Sequence, residues 1–223
     1  LGDVYKRQVY LTSVTEEWSV ATLSGPNAGK ILRAAGVDIS LDPADFPFMT
    51  MREAHIAGLP VRIFRISFTG ELSYEINIRA RHGLALWTHL MKAGAEFGIT
   101  PYGTEAMHVL RAEKGFIIVG QETDGSVTPQ DLGMDWIVSK VKPDYIGKRA
   151  LERASMAADN RKQLVGLRTK ERKQVIPEGA HAVLDPNQPM PMDMLGQVTS
   201  SYYSPNVGSS IAMAMLKGGR ALM

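Results

Sequence analysis

Short hydrophobic runs separated by turn residues organise the first part of the chain. Apolar and β-branched residues alternate with polar ones within each run, and each run is short enough for a single strand. The sequence Phe68-Thr69-Gly70-Glu71 lies between the last two runs and predicts a hairpin or a bulged connection. The pattern predicts strands at 9–15, 18–23, 59–67 and 72–78 and a helix at 28–35.

Two longer segments show helical periodicity. Residues 82–97 place Leu84, Trp87, Leu90 and Met91 at spacings that predict one apolar face, and residues 104–114 form a second such pattern. The polar segment 144–160 is also predicted to be helical. Helices therefore alternate irregularly with strands, which favours an α+β fold.

The pattern changes after residue 163 to short strands and Pro- or Asn-containing turns, which is typical of a small all-β, barrel-like module. We place a domain boundary near residue 155, with an α+β domain at 9–155 and a β domain at 156–223. Residues 1–8 have neither an initiator Met nor periodicity, and we interpret them as outside the family or derived from cloning. Strands are predicted at 164–167, 180–184, 195–203 and 211–216.

Composition excludes several classes of function. The formal net charge is only +2, so charge does not indicate nucleic-acid binding. The absence of cysteine excludes thiolate metal sites, iron–sulfur clusters, disulfides and a cysteine nucleophile. The five histidines are scattered without ligand spacing, so we expect no metal site. No apolar run reaches membrane-spanning length and no signal peptide is recognisable, which predicts a cytoplasmic location.

Two motifs carry a resemblance to known families. Residues 64–76, FRISFTGELSYEI, resemble the TGExGxE signature of the glycine-cleavage T-protein (aminomethyltransferase) superfamily. Residues 98–115, GITPYGTEAMHVLRAEKG, with VGQETDG at 119–125, more narrowly resemble the alpha subunits of bacterial heterotetrameric sarcosine oxidases. The resemblance extends from about residue 9 to the end. It identifies the chain as a partial, C-terminal folate-binding domain.

This resemblance implies a fold and a reaction. The fold is an incomplete aminomethyltransferase-like α+β folate-binding domain followed by a small β-barrel-like domain. The reaction is transfer of the one-carbon unit of oxidised sarcosine, an iminium, to tetrahydrofolate, which gives 5,10-methylenetetrahydrofolate. The implied partners are the beta, gamma and delta subunits of the oxidase.

Other parts of the complete enzyme are expected outside this chain. FAD, FMN and NAD belong to the whole enzyme, and no GxGxxG motif follows a strand here, so the chain is expected to hold neither flavin nor NAD. The family's acidic catalytic residue is expected upstream of this chain. The catalytic residues are therefore unassigned, and the chain alone is expected to be inactive.

Alternative functions stay open at this point. A free aminomethyltransferase or a dimethylglycine oxidase or dehydrogenase would share the first motif. However, Met107 and His108 replace the Arg-Asp pair of free transferases, and Phe116 replaces the Cys of the related KGCYxGQE signature. A third alternative, from a different class, is a non-catalytic binding or assembly module.

Four residues are the candidate folate ligands. Glu75 matches the second Glu of TGExGxE, which in the family binds the pterin, and a carboxylate suits a pair of adjacent donors. The alternative is a solvated strand residue. Phe68 is placed to stack on a flat ring, Gly70 allows a positive φ, and Tyr74 either lines the same face or packs below it.

Three residues near these motifs are given weaker roles. Arg111 and Glu113 are assigned structural roles because i and i+2 residues of a helix do not face each other. Gln121 is at most a weak ligand candidate.

Overall fold

The computed structural model describes residues 9–223, so the interpretation of residues 1–8 lies outside the described residues. These residues divide into two compact units after Tyr102. The predicted helix that starts at Thr104 therefore belongs to the second compact unit, although it precedes the domain boundary placed near residue 155. That boundary stays a prediction.

The first unit contains a four-stranded antiparallel sheet in the order β1-β4-β3-β2. Antiparallel pairing of β3 with β4 confirms the hairpin predicted around Phe68-Thr69-Gly70-Glu71. The sequence missed β2, whose polar residues obscure the alternation, although it pairs with β3 along its whole length. The strands are β1 at Trp18–Ser24, β2 at Met51–Ile56, β3 at Leu59–Phe64 and β4 at Ser73–Arg79.

Two helices cover one face of this sheet and form the core of the first unit. They are α1 at Ala28–Ala34 and α2 at Gly83–Gly94, which continues as a 3-10 turn at Ala95–Phe97. Both were predicted, but the buried face of α2 was partly wrong, since Leu84 is 80% exposed whereas Leu86 is buried. Core side chains include Leu23, Ile31, Leu32, Ile63, Ile76 and Ile78.

The strand predicted at 9–15 and the helix predicted at 144–160 were both wrong. Residues 9–14 form no strand, and Thr15–Glu17 form a 3-10 turn, because within residues 9–223 β1 is hydrogen-bonded only to β4 and no second strand pairs with this segment. The helix predicted at 144–160 is reduced to α4 at Lys148–Leu151. A polar segment has no apolar stripe to bury, so little stabilises a long helix there.

The second unit contains a four-stranded antiparallel sheet in the order β5-β8-β7-β6, with a bulge in β7 between Val198 and Ser200. The helix α3, Thr104–Glu113, has its own contacts with this sheet. The predicted strands are present, and the second is shortened to two residues. They are β5 at Lys162–Arg168, β6 at His181–Ala182, β7 at Gly196–Ser204 and β8 at Ser209–Lys217. No helix in the described part of the chain is long and apolar enough to cross a membrane.

A partly buried ion pair connects the segment before β5 to the loop that follows α3. Nη2 of Arg161 lies 2.5 Å from Oδ2 of Asp131, and the backbone amide of Thr128 donates to the same carboxylate at 2.8 Å. Burial by itself would raise the pKa of Asp131. The hydrogen bonds from Arg161 and Thr128 outweigh burial and lower that pKa below its ordinary value.

We therefore expect an acid-sensitive contribution of Asp131 to stability. Its folded pKa lies below its unfolded pKa, so the contribution is complete above about pH 4 and is lost as the pH falls through the folded pKa. Asp131→Asn should lower the free energy of unfolding by about 1–2 kcal/mol at pH 6. Urea unfolding from pH 6 to pH 3 should show this difference shrink, whereas a constant difference, or an equal effect of the exposed Asp135→Asn, would contradict it.

Candidate ligand-binding site

Strand β4 presents two different sets of side chains because successive residues of a strand point to opposite faces. Tyr74, Ile76 and Ile78 lie in the core beneath the helices. Glu75 and Asn77 lie on the other face, where the neighbouring β1 residue Val20 is 55% exposed. This second face is therefore open to a ligand among the residues of the first unit.

The carboxylate of Glu75 lies on this open face, beside the end of β3. Its neighbours across the strands are Thr22 on β1 and Phe64 on β3. Nδ2 of Asn77 donates to Oε1 of Glu75 at 3.2 Å, and no group within residues 9–223 donates a hydrogen bond to Oε2. Glu75 is half-buried. It thus offers one restrained and one available acceptor oxygen.

The β3–β4 connection holds two of the other candidate residues. Phe68 is 38% exposed, so its ring is accessible for stacking, and Gly70 has a φ of 76°, the conformation that its residue type predicted. Thr69 between them is almost fully buried, and its Oγ1 has no hydrogen-bond partner in the described part of the chain. Sequence reasoning did not single out this orphan hydroxyl.

Tyr74 is separated from Glu75 by the sheet. Its side chain is only 2% exposed and its ring lies 6.1 Å from the ring of Phe46 in the core. Of the two placements open for Tyr74, the structure has the one below the sheet. A folate-binding role for any of the four candidates, Glu75, Phe68, Gly70 and Tyr74, stays a prediction.

A second polar cluster, in the second unit, surrounds Arg111. Nη1 of Arg111 donates to Oε2 of Glu122 at 3.0 Å, and both side chains are fully buried. Nη2 of Arg111 donates to Oγ of Ser200 at 2.6 Å, and that hydroxyl donates to the other oxygen of Glu122. The cluster ties α3, the following loop and β7 together. Sequence reasoning did not single out Glu122, the residue after Gln121. Its burial makes it important, because a buried carboxylate requires a cationic partner.

Glu113 and Gln121 have partners of their own. Glu113 accepts hydrogen bonds from Ser204 and Asn206, so it does not face Arg111, as their spacing predicted. The side-chain amide of Gln121 donates to the backbone oxygen of Thr199 at 2.9 Å. Within residues 9–223 no group of three or more potential metal ligands is found.

Two family models match successive parts of the chain. The GCVT N-terminal domain matches residues 2–142, and the glycine cleavage T-protein C-terminal barrel domain matches residues 162–223. The chain belongs to the glycine cleavage T-protein family. The predicted fold, an aminomethyltransferase-like domain followed by a barrel-like domain, is thereby confirmed, because the two models match this chain in that order.

Two relatives of this chain extend this result. The sarcosine oxidase subunit alpha of Corynebacterium sp. (strain P-1) is 47% identical over 220 residues, which cover 96% of this chain and 22% of that protein. The aminomethyltransferase of Halothermothrix orenii (strain H 168 / OCM 544 / DSM 9562) is 31% identical over 219 residues, which cover 98% of this chain and 58% of that protein. The resemblance to sarcosine oxidase alpha subunits is confirmed.

A solved structure supports the fold of this T-protein chain. The crystal structure of the glycine cleavage system aminomethyltransferase T from Bartonella henselae aligns with a TM-score of 0.68 and 24% identity, and the alignment covers 91% of this chain and 52% of that chain. The chain thus spans only part of the length of each relative.

Proposed function

We propose that this chain is the folate-binding part of a sarcosine oxidase alpha subunit. In the proposed reaction the one-carbon unit of oxidised sarcosine is transferred to tetrahydrofolate, which becomes 5,10-methylenetetrahydrofolate. The observation that carries the proposal is the position of Glu75. The second Glu of the family motif lies on the open sheet face with one oxygen held by Asn77 and the other available.

The residues around this face fit a folate chemically. A pterin edge presents adjacent N–H donors, and a carboxylate accepts two such bonds in parallel with charge assistance. The exposed ring of Phe68 suits stacking on a flat heterocycle, and the orphan hydroxyl of Thr69 supplies an unused polar group in the same connection. Glu75 and Phe68 would therefore hold and orient tetrahydrofolate, whose amine supplies the nucleophile of the reaction.

The protein's contribution in this proposal is positioning and exclusion of water. A bound amine held close to the iminium captures it before water hydrolyses it to formaldehyde. In this proposal the complete enzyme also contains FAD, FMN, NAD and the beta, gamma and delta subunits. Its proposed location is the cytoplasm. The acidic residue that assists transfer is not assigned to any residue of this chain.

The similarity to known proteins supports this proposal over the alternatives. Identity is 47% to a sarcosine oxidase alpha subunit but 31% to an aminomethyltransferase. Met107 and His108 also depart from the Arg-Asp pair of free transferases. The experiment must still separate the proposal from three alternatives: a free aminomethyltransferase, a dimethylglycine oxidase or dehydrogenase, and a non-catalytic assembly module.

The test is the fate of the one-carbon unit in the complete complex that contains this sequence. Sarcosine turnover is measured together with formaldehyde, with and without tetrahydrofolate. We expect tetrahydrofolate to suppress formaldehyde release while oxidation continues. A free transferase would oxidise no sarcosine, a dimethylglycine enzyme would prefer dimethylglycine, and a non-catalytic module would leave formaldehyde release unchanged.

Phe68→Ala should weaken tetrahydrofolate binding about two- to tenfold, since it removes one stacking contact of about 0.5–1.5 kcal/mol. Titration of the complex with tetrahydrofolate measures the dissociation constant. Trp87→Ala is the matched control because that exposed aromatic residue lies on α2, which packs on the opposite face of the sheet. Equal effects of the two variants would argue against stacking at Phe68.

A further inference from the structure

The first unit contains a cavity on the side of the sheet away from Glu75. Its volume is about 460 Å³, and α1, the segment 39–43 and the start of β4 border it. It shares Tyr74 with the core but does not include Glu75 or Phe68. Its polar and charged lining residues are Arg33, Ser40, Asp42, Arg65 and Tyr74.

Arg33 brings an uncompensated positive charge to this cavity. Its side chain is exposed, and it forms no hydrogen bond or ion pair with any residue in 9–223. Its Nη2 lies 3.8 Å from the position that a Cβ on Gly29 would occupy. The guanidinium therefore borders the space that the missing side chain of Gly29 leaves beside α1.

The hydroxyl of Tyr74 borders the same space. Its oxygen lies 3.6 Å from the same Cβ position on Gly29, although Tyr74 as a whole is only 2% exposed. The hydroxyl has no hydrogen-bond partner among the described residues. Since the hydroxyl oxygen of Tyr74 is not enclosed by protein atoms, it opens into the cavity, where it and the Arg33 guanidinium can both donate to a ligand that accepts hydrogen bonds.

The charges around the cavity indicate what kind of acceptor fits. Arg65 contributes a second cation, and its Nη1 already donates to the backbone oxygen of Phe46 at 2.5 Å. Asp42 contributes one negative charge and uses Oδ1 to accept the amide of Ala44 at 2.8 Å. Two cations and one carboxylate leave a single positive charge, which matches a monoanion better than a phosphate dianion.

We propose that this cavity binds the carboxylate of a small organic acid or amino acid. Arg33 supplies a planar pair of N–H donors that matches a carboxylate, and the Tyr74 hydroxyl donates a further hydrogen bond. Arg65 adds a second positive charge to the lining of the cavity. The site is separate from the one that contains Glu75, and its occupancy does not depend on folate.

Protection of Arg33 from phenylglyoxal tests the proposal directly. The chain is modified in sodium acetate or in sodium chloride of equal ionic strength, and mass spectrometry of the peptides gives the rate at each arginine. We expect acetate to slow modification of Arg33 at least threefold and to leave Arg81 unchanged. Equal rates at Arg33 in the two salts, or equal slowing at Arg81, would overturn the proposal.

Three variants assign the effect to the cavity. Tyr74→Phe removes only the hydroxyl, so the acetate concentration for half-protection should rise about three- to tenfold. Gly29→Ala adds a methyl group to the shared space at ordinary contact distances and should raise the acetate concentration for half-protection several-fold. This variant leaves Tyr74, a core residue, unchanged. Lys30→Gln removes one charge from the same helix outside the cavity and should change the acetate concentration for half-protection less than twofold.

The outcomes separate a built site from a general electrostatic effect. If Lys30→Gln weakens protection as much as Tyr74→Phe, acetate responds to the overall field and the proposal fails. Unchanged protection in both Tyr74→Phe and Gly29→Ala would also overturn it.

Discussion

Arg111→Met should lower the free energy of unfolding of the second unit by about 3–5 kcal/mol, because it leaves a buried charge without its partner. Glu122 is fully buried and receives its charged hydrogen bond from Arg111. The backbone oxygen of Phe116 would lose a donor at the same time. Met fills part of the space but supplies none of these bonds. Urea unfolding followed by circular dichroism measures the loss.

Two variants distinguish the ion pair from general damage. Arg168→Met removes an exposed arginine at the end of β5 and should cost less than about 0.5 kcal/mol. The double variant Arg111→Met with Glu122→Leu should recover part of the loss, since it removes the stranded carboxylate as well. If Arg111→Met cost less than about 1 kcal/mol, the cluster would not carry the stability that its burial implies.

Glu75→Gln should weaken tetrahydrofolate binding by about 1.5–3 kcal/mol, or roughly ten- to a hundredfold, in the complete enzyme. Gln keeps the shape of the side chain but places an amide donor opposite a pterin donor and removes the charge assistance. Oxidation of sarcosine belongs to another part of the proposed enzyme. The variant should therefore release formaldehyde where the parent protein forms methylenetetrahydrofolate, at an unchanged rate of oxidation without folate.

Glu53→Gln is the matched control for this variant. Glu53 lies on β2 of the same sheet, but its carboxylate is exposed and pairs with Arg62 at 3.4 Å. It should change folate affinity less than twofold. Unaltered affinity in Glu75→Gln would mean that this carboxylate does not face the pterin, and Glu75 would then be a solvated strand residue.

The region around Glu75 could be predicted because its signals are local. A motif is read from consecutive positions, and the alternation of a strand sets Glu75 and Tyr74 on opposite faces once the strand is recognised. Propensity alone was misleading where partners decide the outcome. Residues 9–14 have strand-like composition but no strand to pair with in the described part of the chain, whereas β2 has polar composition but a complete ladder with β3.

The buried face of α2 shows the same limit. Leu84, Trp87 and Leu90 share a helical spacing, yet only Leu90 is buried and Leu86 takes the place of the others. Packing against the sheet decides which side of α2 is buried. A spacing rule identifies an apolar side but not the rotation of the helix on its sheet.

By itself the sequence determined the α+β class, the order of most strands and helices, and membership of the T-protein family, because these follow from local periodicity and consecutive motifs. Only the tertiary structure decided that Glu122 neutralises Arg111 and that Arg33 and the Tyr74 hydroxyl border one cavity. In each case the residues come from different elements or loops of the fold. Their geometry depends on how strands and helices pack, which no local pattern specifies.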